Sequence, residues 1–138
     1  MAIADTIHEM IVEYLGKYNA AVKKARPGAG LFGFGSGPKD DPCHAEFLEK
    51  LAAYTDSLTA VPPEEANAAV RLVIGYALDR SLPECCHWVF VAAERCTFGL
   101  ISEMLPEERA VLLAQYEKAV PRLQRFPVEK ELVRALGQ

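Results

Sequence analysis

No stretch of this sequence is strongly basic. Residues 1–40 carry five Lys/Arg against four Asp/Glu, residues 41–105 four against ten, and residues 106–138 six against five, for a net charge of −4. Nucleic-acid backbones are held by clustered Lys and Arg, so the charge pattern argues against that partner. Long apolar runs are missing too. The longest, Trp88 to Ala93, falls far short of the roughly 20 residues that cross a bilayer. The start, MAIADTIHEM, has neither a basic leader nor an apolar core, and Asp5 and Glu9 interrupt it. The expectation is a cytoplasmic protein that engages no membrane.

Cysteine is sparse. There are four, at positions 43, 85, 86 and 96, with no C-x-x-C and with two of them adjacent. Adjacent cysteines make poor partners for two independent staples, so reduced thiols are expected. Catalytic signatures are also lacking: there is no G-x-S-x-G, no H-E-x-x-H and no Walker A pattern. No alternating strand pattern competes with the helical ones, and no repeat has a fixed period.

What is present is helical periodicity. Ile3, Ile7, Met10, Ile11, Tyr14, Leu15, Tyr18 and Val22 form one stripe, which Arg26-Pro27-Gly28 ends. Asp40 or Asp41 is a natural N-cap for a second helix, with Pro42 in its first turn and a stripe from Phe47 to Leu58. Pro63-Glu64-Glu65 opens a third. From Ala68 to Leu78 that helix has one charge, Arg71, which places it at the centre of the fold. Ser81-Leu82-Pro83-Glu84 has capping-box spacing and opens a fourth, apolar on most faces from Cys85 to Ala93. Leu105-Pro106 precedes a fifth helix, and Val128 to Leu136 form a short last one. Val70, Val73, Ile74, Ala77, Val89 and Phe90 are the expected core centre. The predicted fold is all-α: one domain over residues 1–138, a bundle of five or six helices, with a long Gly-rich loop between helices 1 and 2.

That loop, ARPGAGLFGFGSGPKDDPCH, holds five of the nine glycines and two large apolar residues, Phe32 and Phe34. Phosphate binding is a poor fit. No strand precedes the loop, its lysine lies between Pro38 and Asp40, and Asp40 and Asp41 would repel an anion. The phenylalanines read either as plugs over the end of the bundle or as a docking arm. Short links make sequential helices antiparallel neighbours, so the second and fourth helices should begin at one end. Cys43 and His44 then share that end with Glu84, Cys85, Cys86 and His87.

Three readings follow for this end. Cys and His are zinc's preferred ligands, so Cys43, His44, Cys85, Cys86 and His87 are candidates for zinc or another transition metal. Asp5–His8, Asp41–His44 and Glu84–His87 have the carboxylate–histidine spacing of di-iron bundles, but in first turns an acid also serves as ordinary capping chemistry. Cys43, in a first turn, is a candidate reactive thiol. The third reading is structural: cysteines as small apolar core residues, with Trp88 as a core anchor or a ligand wall. The combined expectation is a binding protein without catalytic machinery. It would take a protein partner or small ligand at the loop end through Phe32, Phe34 and Trp88, with no cofactor. The alternative is a metal- or thiol-dependent protein, or an enzyme, using the Cys/His residues. A homo-oligomer is compatible with either.

Overall fold

Proline sets where most of these helices begin. The computed structural model describes residues 2–24, 40–121 and 124–138, and among them there is no strand. Helix α1 is Ile3–Lys24, α2 is Cys43–Asp56, α3 is Pro63–Ala77 and α4 is Glu84–Ala93. A 3-10 turn, Glu94–Thr97, carries α4 on into the one-turn α5, Phe98–Ile101, as an unbroken helical rod. Then come α6, Pro106–Ala119, and α7, Pro127–Leu136. With α4 and α5 as one rod, the described bundle has six helices, within the five or six that the periodicity predicts. The Gly-rich segment, with Phe32 and Phe34, lies outside the described residues.

Pro63, Pro106 and Pro127 each occupy a first-turn position, where the missing N–H costs nothing and the fixed φ suits a helix. Two expected caps differ in detail. Pro42 holds the cap position of α2, while the Asp41 carboxylate just before it accepts the Cys43 N–H at 2.9 Å. Ser81 does not cap α4. Pro83 pushes the residue before it out of the helical region, so the helix starts only after Pro83. Asp79 organises the turn instead, accepting the Ser81 N–H at 2.9 Å and the Ser81 hydroxyl at 2.7 Å.

Helix α3 is the hub, packing on α1, on α4 and on the rod beyond it. It buries Ala66, Ala69, Val70, Val73, Ile74 and Ala77. Val89 and Phe90 of α4 are buried beside them, so the expected core centre is the observed one. Helix α1 lays Ile3, Ile7, Ile11, Tyr14 and Tyr18 against α2 and α3. Spacings of three and four residues keep that set on one face. Helix α7 packs on α6 and crosses the rod, burying Leu132 and Leu136. Helix α6 is more superficial and buries only Leu112 and Tyr116.

Candidate functional site

The first turns of α2 and α4 do meet, and Tyr14 and Tyr18 of α1 reach them with their side chains. The Tyr14 hydroxyl lies 2.7 Å from His44 Nδ1. Its ring stacks on Phe47 at 4.7 Å and meets the edge of Phe90 at 5.9 Å. The Cys85 thiol donates to the Tyr18 hydroxyl at 3.3 Å. Tyr14 is also in hydrogen-bonding reach of Cys86, and Cys43 feels the Cys86 sulfur electrostatically. The sequence therefore places Cys43, His44, Cys85 and Cys86 correctly at one end.

Cys43, Cys86, Tyr14 and Tyr18 are held in their uncharged forms here. Burial, reinforced by the neighbouring Asp41 carboxylate, pushes the Cys43 thiol up to about 12. Burial raises Cys86 as well. Tyr14 is raised by burial first and by Cys86 second, and Tyr18 by its bond to Cys85 first and burial second. A thiol held protonated is a poor nucleophile, so the helix start does not activate Cys43. Among the described residues, no three Cys, His, Asp or Glu side chains converge as a metal cage. His87 stands apart from the cluster. It follows Cys86 by one residue, and a helix turns about 100° per residue, so it faces another side of α4.

On that side lies a concave site of about 460 Å³, between the end of α3, the start of α4 and the approach to α7. Trp88 and Phe126 stand over it, ring centroids 4.8 Å apart at 81°. Both rings are well exposed, 42% and 49%. Arg80, Glu84, His87 and Gln124 supply polar groups. Phe126 is anchored through its backbone, whose N–H donates to Glu129 Oε1 at 3.0 Å. Arg125 Nε donates to the Val120 carbonyl at 3.1 Å and steadies the approach. The sequence points to Trp88 here but not to Phe126, which sits between Arg125 and Pro127 outside any helical stripe.

A second feature is absent from the sequence expectations. Glu94, in the 3-10 turn, is fully buried. Tyr116 Oη lies 3.3 Å from Glu94 Oε1 and 3.4 Å from Glu129 Oε2. Burial, opposed by the Tyr116 hydrogen bond and helped by the Glu129 charge, pushes the Glu94 carboxyl up to about 8. One hydroxyl proton serves one carboxylate at a time, so a proton on Glu94 frees Tyr116 to donate to Glu129. The available signal was a lone carboxylate following the apolar run Trp88 to Ala93.

Comparison of the chain with protein-family models, with curated proteins and with solved structures returned no match.

Proposed function

We propose that this chain is a ligand-binding helical bundle with no covalent chemistry of its own, and that the cleft beneath Trp88 and Phe126 takes a small molecule with a flat apolar body. One observation carries the reading: two large aromatic rings remain half exposed, edge to face, over a concave site. The site's volume of about 460 Å³ lies in the range of small-molecule pockets, roughly 300–1,000 Å³. Aromatic walls supply contact area, and the groups at Arg80, Glu84, His87 and Gln124 would orient polar substituents. The cleft lies at the end of the bundle where α2 and α4 begin, which is the end expected to bind. The neutral, buried state of Cys43 and Cys86 favours this reading over a thiol-dependent one.

The chain has a single tryptophan, so its emission reports on this cleft alone. Small aromatic carboxylates, amines and phenols titrated into the protein should include members that shift Trp88 emission saturably. Phe126→Ala should weaken those members about tenfold while leaving the melting temperature nearly unchanged, since half-exposed side chains contribute little to the core. A panel that leaves Trp88 emission untouched at millimolar concentration would reject the proposal.

A further inference from the structure

A second concave site lies elsewhere. It is a groove of about 780 Å³ between the second half of α2, the link that follows it, and the rod of α4 and α5. We propose that this groove is a binding site for a small organic cation with an apolar body, distinct from the cleft beneath Trp88.

Shape and surface come first. Leu48 and Ala52 of α2, Val61 of the link, and Ala92 and Leu100 of the rod give the groove an apolar floor. Its volume is in the range that encloses a drug-sized molecule, roughly 300–1,000 Å³. Gly99 opens one wall, and a Cβ added there would meet nothing within 4 Å. The link itself is held in an uncommon shape, with Ala60 at a φ of 51°. That left-handed backbone disfavours a side chain, and it fixes the turn that closes the groove's far end.

Charge then selects the ligand. Glu49, Asp56 and Glu103 line the groove, and among the described residues none of the three has an ion-pair partner. Arg95, the cationic side chain of the lining, reaches out to Glu131 at 3.5 Å. Three carboxylates against one paired guanidinium leave a negative groove. The end of α2 adds to it. Helix C-termini carry partial negative charge, and the last turn of α2 holds no basic side chain to offset it. The lining thiol of Cys96 is raised first by burial and then by the Asp56 charge, which the more weakly acting Arg95 opposes. A cation over an apolar floor satisfies both surfaces at once. An anion would meet repulsion from the rim, and a neutral ligand would forgo the attraction.

Three isosteric probes test this: 2-(1-naphthyl)ethylammonium, the corresponding alcohol and the corresponding carboxylate, each titrated by calorimetry. The ammonium should bind about tenfold or more tightly than the alcohol at low salt, an advantage that shrinks as salt rises, and the carboxylate should bind weakest. Gly99→Leu fills the groove where space is free, so it should abolish binding while thermal melting stays close to that of the parent protein. The triple change Glu49→Gln, Asp56→Asn, Glu103→Gln alters exposed groups only and should bring the ammonium down to the affinity of the alcohol. Equal binding of ammonium and alcohol would overturn the proposal. So would undiminished binding by Gly99→Leu, or binding of a basic amphipathic peptide with none of the small cation.

Discussion

The Tyr14 hydroxyl and His44 Nδ1 lie 2.7 Å apart and tie the middle of α1 to the first turn of α2. The same ring packs on Phe47 and Phe90, so a polar tie and an apolar one share a single side chain. The two can be separated. Tyr14→Phe keeps the ring and removes the hydroxyl, which should cost about 1–2 kcal/mol because a part-buried bond to His44 is lost. Tyr14→Ala also opens a cavity and should cost about 3–5 kcal/mol. Urea denaturation of the two variants should rank them in that order. Equal losses would mean that the ring contributes little.

The buried thiols offer a second test. At pH 8 the thiolate fraction of Cys43 should be on the order of a thousandfold below that of an unburied cysteine. Native protein treated with iodoacetamide should therefore carry label at Cys43 and Cys86 only after urea is added, as read by peptide mass spectrometry. Rapid native labelling of Cys43 would revive the thiol-dependent reading.

Glu94 should make stability fall with pH. Its folded value, about 8, lies above the ordinary carboxylate value of 4.5, so the folded state holds the proton more tightly. The stabilisation is complete below pH 4.5, declines as pH climbs through about 8 and is gone above it. Over that window the loss should be roughly 3–5 kcal/mol. Glu94→Gln keeps the shape without the charge. Urea melts at pH 5 and pH 8.5 should show a much smaller difference for the variant than for the parent protein. Equal differences would assign the pH dependence to other groups.

The helices were legible because prolines and periodic apolar residues act within a few positions of one another. Pro63, Pro106 and Pro127 mark their own helix starts, and Val70, Val73 and Ile74 announce a buried face by spacing alone. The meeting of Cys43 with Cys86 was legible from the shortness of two links. The cleft was not. Trp88 and Phe126 are 38 positions apart, and their contact depends on how α7 crosses the rod, which no local pattern encodes. His87 does share that end of the bundle, but not the thiol cluster, for a simpler reason. Counting helix starts assigns residues to an end of the bundle but says nothing about rotation around the axis, and one residue's step moved it to another face. Glu94 went unread because a carboxylate in a helix is ordinarily solvated, and its burial depends on Tyr116 and Glu129 arriving from α6 and α7.

The shallow seating of α6 divides the molecule into parts that can open separately. With only Leu112 and Tyr116 buried, α6 relies on α7 and on surface contacts such as Arg71 with Gln115 at 3.0 Å. Helix α3, buried on its whole inner face, has no such freedom. In native-state hydrogen exchange the amides of Val70, Val73 and Ile74 should be released only by global unfolding, while those of α6 exchange through a cheaper, local detachment of the α6–α7 pair. Denaturant should accelerate the first set steeply and the second weakly; a single common slope would show that the bundle opens as one unit. Such a detachment would carry Glu129 away from Glu94, letting the buried carboxyl reach water without the core coming apart.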